Sequence, residues 1–102
     1  MSVVVFRNAV LFDGVSEDLR EGVDIVVEGN RIREIVDGRA SVPGAVEIDV
    51  AGRTVLPGLI DAHVHLMAVH LAASKNEHYS LTYMTAMALG RIRNMLDRGF
   101  TT

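Results

Sequence analysis

The chain contains no cysteine. That removes disulfides, thiolate metal sites and cysteine nucleophiles together, and it agrees with a reducing compartment. An excess of positive charge is also missing. Thirteen acidic residues face ten basic ones, a formal net charge of −3, so no basic field invites nucleic acid. No apolar run approaches the ~18 residues a membrane helix needs. The opening "MSVVVF" has no basic segment ahead of its short apolar run, so it does not read as a signal peptide. Internal repeats and low-complexity tracts are absent too. What is left is ordinary globular composition, 49% hydrophobic and 23% charged over 102 residues, with room for one small domain and not two. The expectation is a soluble cytoplasmic protein with neither a nucleic-acid nor a membrane partner.

The first half reads as short strands joined by turns. Val3–Phe6 and Ala9–Phe12 are apolar and rich in β-branched residues, and Asp13-Gly14 closes the second run. Val15–Glu21 is polar and predicts a loop. Val23–Glu28 and Arg31–Val36 flank Gly29-Asn30, a two-residue hairpin turn. The alternation slips at Ile35-Val36, which predicts a bulge there or burial on both faces. After a loop over 37–44, Val46–Val50 alternates, Ala51–Arg53 turns, and Thr54–Leu56 is short and extended. A small β-sheet or sandwich explains residues 1–56, and nothing in them points to chemistry.

The pattern then changes. Leu59–Leu66 predicts a longer, buried strand. Ser74 and Glu77 have capping-box spacing, with Ser80 a competing helix start. From Ser80 to Arg98, Leu81, Met84, Ala88, Ile92 and Met95 recur at steps of three and four, an amphipathic helix. The helix arginines fall off that stripe and read as a solvated outer face. Arg98 and Gly99 suit its C-terminus, and Phe100–Thr102 is β-prone. Strand, loop, helix and strand make an incomplete β-α-β unit, which belongs to parallel sheets and barrels.

In such a strand Leu59, Asp61, His63 and His65 share one face and Ile60, Ala62, Val64 and Leu66 the other. His63 and His65 stand about 6.5–7 Å apart at Cα, close enough for both imidazoles to reach one ion. Neutral imidazole is a ligand for Zn²⁺ and similar metals, and ligands gather beyond the carboxyl ends of parallel strands. A single histidine on a buried face is more often a hydrogen-bonded core residue. Two at i, i+2 on the polar face put metal slightly ahead of a structural role.

"PGLIDAHVHL", preceded by "VEIDVAGRTVL" and "VDIVVEGNRIREIV" and followed by "NMLDRGFTT", resembles the N-terminal part of the amidohydrolase superfamily, in order along the whole chain. The resemblance implies an α/β protein, a small β-sandwich followed by a (β/α)₈ TIM barrel. Residues 1–57 match the N-terminal part of the sandwich. Residues 58–102 match the first barrel strand, its loop and helix, and the start of the second strand. Pro57-Gly58 matches the junction. His63 and His65 match the H-x-H pair that binds the more buried metal, with one or two divalent ions, usually zinc, per site. Asp61 matches the acidic residue two positions before that pair, one that supports the ligands rather than binding the ion. The implied activity is hydrolysis of a C–N bond, amide or peptide, by metal-activated water. Residues matching the family's lysine, two later histidines and eighth-strand aspartate do not occur here, so none of the 102 residues is a catalytic candidate. The stretch reads as the front of a longer enzyme, inactive alone, whose partner is the remainder of the same barrel.

The region "HLMAVHLAASKNEHYSLTYMTAMALGRIRNMLDRGFTT" resembles the group of Xaa-Pro dipeptidases and imidazolonepropionase-like proteins. That implies a small-molecule or dipeptide substrate and a homo-oligomer. His70 and His78 are candidates for the pocket rim, although a solvated or helix-start histidine accounts for each more simply. Tyr79 and Tyr83 read as packing residues. The competing reading is a non-catalytic relative, the same fold used for scaffolding or assembly.

Overall fold

The computed structural model describes residues 2–102. The chain divides into two compact units, Met1–Pro57 and Gly58–Thr102.

The first unit is a five-stranded sheet. Its strands are β1 (Val3–Leu11), β2 (Arg20–Glu28), β3 (Arg31–Asp37), β4 (Val46–Asp49) and β5 (Thr54–Val55). Their order is β3-β2-β1-β4, with β5 also paired to β1. β1 and β2 are antiparallel, as are β2 and β3, whereas β4 and β5 both run parallel to β1. β4 takes the stretch Val4–Arg7 of that edge and β5 takes Val10-Leu11. The turn between them follows an irregularity in β1, where the Asn8 carbonyl accepts from Gly52 N–H at 2.8 Å.

Two expected strands, Val3–Phe6 and Ala9–Phe12, are therefore one. Arg7-Asn8 is a bulge, with Asn8 at φ 57° and a register shift between Phe6 and Ala9. An extra residue in a ladder resets which side chains face which way. Phe6 packs against the cluster of Ala9, Leu11, Val23 and Ile25, while Val3 and Val5 lie with Val26 and Ala40. The sheet thus has apolar residues on both faces, and Val23–Val26 are all buried. Arg20 and Glu21, expected in a loop, extend β2. The Gly29-Asn30 turn forms, with Gly29 at φ 62°. Ile35 and Val36 go to opposite clusters. The associated bulge sits two residues earlier, where Val26 and Val27 pair with Glu34 and Ile32 and leave Arg33 over.

On one face the loop over 38–45 covers the sheet through Ala40, Val42 and Ala45. Beneath it lies an ionic cluster that the sequence reading did not anticipate. Arg7, 8% exposed, shares the face of Val5, and its guanidinium donates to Asp24, to Glu47 and to the Ala40 carbonyl. Asp24, 3% exposed, also accepts from the N–H groups of Asn8 (3.1 Å) and Ala40 (2.8 Å). Burial pushes the Asp24 carboxyl upward, but the Ala40 N–H, Arg7 and Asn8 N–H bonds outweigh it and hold the group below the usual carboxylate range. The Arg7 hydrogen bond holds Glu47 low as well.

The second unit contains α1 (Ala73–Asn76) and α2 (Leu81–Asp97). The strand expected over Leu59–Leu66 does not form a ladder. Leu59 makes one parallel bridge to Phe100, fixed by Leu59 N–H to Gly99 O, Thr101 N–H to Leu59 O and Asp61 N–H to Thr102 O at 2.8–2.9 Å. The last of these bonds is made by Asp61, and bends follow at Ala62 and His63. Burial is likewise not found: Ile60 is 70% exposed.

α2 begins at Ser80, whose hydroxyl accepts from Tyr83 N–H at 3.2 Å. It ends in a paired closure. Gly99 N–H reaches Leu96 O and Phe100 N–H reaches Met95 O, with Gly99 at φ 91°. The capping box at Ser74 is absent. α1 starts two residues earlier, with Ala72 rather than Ser74 at the N-cap position and no side-chain cap. Its Asn76 turns back to His70 instead, accepting the His70 N–H at 2.8 Å and donating to its carbonyl at 2.9 Å.

Candidate metal centre

Bending beyond Asp61 leaves His63 and His65 exposed, and it brings their rings together. The two Nε2 atoms are 2.8 Å apart, with ring centroids at 4.8 Å and planes tilted by 52°. The contact is a hydrogen bond between the rings, one Nε2 donating and the other accepting according to tautomer. A shared tetrahedral zinc with ~2.0–2.1 Å bonds would hold them ~3.3 Å apart, a small opening of the present pair. No group of three or more histidine, cysteine, aspartate or glutamate residues that could hold a metal ion occurs among the described residues.

Asp61 is half-buried, and its Oδ1 accepts the His63 backbone N–H at 3.2 Å. The carboxylate thereby braces the turn that carries the first imidazole.

Past His65 the backbone is held from the other side. Arg91 of α2 is half-buried rather than solvated. Its Nη1 donates to the carbonyls of Leu66 (3.1 Å) and Ala68, and its Nη2 to Val69 O at 3.2 Å. This corrects the uniform outer face expected of the helix arginines, although Arg93 and Arg98 are exposed. Arg91, His65, His70 and Asn76 help to line a hollow of about 420 Å³. His70 Nδ1 accepts the Ala72 N–H at 3.0 Å, so in neutral His70 the proton sits on Nε2. His78 is exposed and does not border that hollow. Tyr79 and Tyr83 stack on each other at 5.2 Å between centroids, each partly exposed.

Reasoning from sequence passed over Arg91 and the Arg7–Asp24–Glu47 cluster. For the cluster a signal exists: Arg7 follows Val3 and Val5 at the strand period, and Asp24 interrupts an otherwise apolar run. A charge of each sign in such places predicts a buried pair. For Arg91 the signal is fainter, since position 91 lies one helical turn from Ala88 and Met95, both covered.

No family model matches the chain. A dihydroorotase of Trichlorobacter lovleyi is 47% identical over 51 residues, 50% of this chain and 12% of that protein. An adenine deaminase of Methanoregula boonei is 36% identical over 86 residues, 84% of this chain and 15% of that protein. Among solved structures, an amidohydrolase aligns over 98% of the chain with a TM-score of 0.88 and 38% identity. The chain belongs to the amidohydrolase superfamily. A second solved amidohydrolase relative, a prolidase complexed with N-methylphosphonate-L-proline, aligns over 99% of the chain with a TM-score of 0.91 and 34% identity. The chain spans about an eighth of the length of the dihydroorotase and about a quarter of each solved structure.

Proposed function

We propose that the intact protein is a metal-dependent hydrolase that opens an amide or peptide C–N bond in a small substrate, a dipeptide of the Xaa-Pro type. The observation that carries this reading is the convergence of the His63 and His65 Nε2 atoms to 2.8 Å in a chain 34% identical to a prolidase along 99% of its length. In this reading residues 58–102 open a (β/α)₈ barrel and residues 1–57 form part of a β-sandwich. The holoenzyme is a cytoplasmic homo-oligomer carrying one or two divalent ions per site, zinc or a similar metal.

His63 and His65 would hold one of those ions. When bound, the metal supplies Lewis-acid chemistry, polarising a carbonyl and activating water near neutral pH. The chain's own residues have separable tasks. Asp61 fixes the backbone of His63 and so the approach of the first ring. The hollow beside His65 receives part of the substrate, with His70 at its rim, held by Asn76 and the Ala72 N–H.

A substrate panel tests the proposal. The intact protein, loaded with zinc, should cleave Xaa-Pro dipeptides well above dihydroorotate, adenine and dipeptides lacking proline, and a chelator should abolish that activity. Preference for dihydroorotate or adenine would move the substrate assignment. Inactivity of the metal-loaded protein on the whole panel would remove the hydrolase reading.

A further inference from the structure

We infer that Arg91 is a positioning residue for the metal centre, holding in place the backbone that carries His65; the inference rests on the proposed metal site. The geometry is specific. Arg91 reaches from α2 to the segment following His65, and its guanidinium spreads over three carbonyls, those of Leu66, Ala68 and Val69. The first belongs to the residue adjoining His65. These carbonyls have no helix or ladder to satisfy them, and half-buried carbonyls without a donor cost free energy.

His63 has its own brace, the Asp61 carboxylate on its N–H. The pair is therefore held at both ends by opposite charges, an acceptor before the first histidine and a donor after the second. The fork also suits the residue type. A guanidinium offers five N–H donors in a fixed plane, whereas a lysine ammonium is a point charge on a flexible stem and cannot cover three separated carbonyls in the same way. With the fork in place, the ring of His65 meets that of His63 before any ion arrives. Without it, the segment 66–72 must be ordered when the metal binds, and the ordering weakens binding.

Residues that orient metal ligands typically affect metal affinity by ~10–100-fold. Arg91 acts through backbone, so the lower end is expected. The test uses the intact protein loaded with cobalt(II), with affinity read by chelator competition. Arg91→Ala should weaken cobalt binding about tenfold and shift the visible cobalt spectrum, Arg91→Lys should fall between it and the unmodified protein, and Arg93→Ala, an exposed control on the same helix, should change neither. Guanidinium ion added to Arg91→Ala should move the spectrum back, and ammonium ion should not. Amide hydrogen exchange in the metal-free protein should rise over residues 66–72 in Arg91→Ala and stay unchanged in Arg93→Ala.

If Arg91→Ala fails to fold, Arg91→Lys decides the matter by the same readouts. Cobalt affinity and spectrum unchanged in the folded Arg91 variant overturn the inference alone. An unmodified protein that binds no metal overturns the functional proposal beneath it.

Discussion

Gly58 stands at the start of the second unit, and the packing there leaves no room for a side chain. A Cβ at that position would lie 2.1 Å from Thr101 Oγ1, 2.6 Å from its Cγ2 and 2.9 Å from its Cβ. Turning the threonine relieves the first two contacts but not the third, which is fixed to the backbone. The same backbone carries the Leu59–Phe100 bridge. Gly58→Ala in the intact protein should therefore destabilise it by roughly 1–3 kcal/mol, the usual range for overpacking, read as a lowered denaturation midpoint. Thr101→Ala in that background should recover part of the loss, and a Gly58→Ala protein as stable as the parent would refute the close approach. At this scale the sequence was legible in which residues pair and not in what pairs them. His63 and His65 do stand together, Nε2 to Nε2 at 2.8 Å, but a bend after Asp61 brings them there rather than strand alternation. It was not legible where one long side chain decides the contact: nothing in the local pattern says that Arg91 reaches the carbonyls of Leu66, Ala68 and Val69.

Among the elements, β1 gains most from a local irregularity. The bulge at Asn8 lets one strand place Val5 and Arg7 on one face and Ala9 and Leu11 on the other. A strand period of two cannot foresee such a reset, which is why the run from Val3 to Leu11 resembles two strands. The hairpin was readable because Gly29-Asn30 demands a turn, and α2 because Ser80 and Gly99 mark its ends. The run Leu59–Leu66 has the composition of a strand, yet a strand is a pairing, and composition carries no information about the partner. The buried Arg7 gives the sheet a pH dependence. Asp24 and Glu47 both titrate below their ordinary values when folded. A carboxyl with a lowered folded pKa contributes stability that is fully present above its unfolded value, ~4 for these groups, and is lost as pH falls through the folded value. Stability of this unit should accordingly fall away below about pH 4. Arg7→Ala should lower the midpoint at neutral pH and flatten that acid dependence. Parallel acid curves for parent and variant in chemical denaturation would contradict the cluster's role.

Across the whole chain, the two units share one trait: each exposes apolar residues that an ordinary surface would not need. Phe12 and Ile32 border an apolar hollow of about 300 Å³ on the sheet, and Leu81, Leu89 and Leu96 of α2 are each more than half exposed. No helix among the described residues is long and apolar enough to cross a membrane. Superfamily membership was legible in the linear order of motifs, and the comparisons bear it out over nearly the full chain. Any further residues of the proposed metal site were not legible, because the spacing of two histidines says nothing about what else stands near them. The proposed function depends on those two rings, and metal analysis of the intact protein beside its His63→Ala/His65→Ala variant tests it most directly. The parent should hold stoichiometric divalent metal and the variant should lose most of it, with both proteins folded. Equal, stoichiometric metal in the two would contradict it.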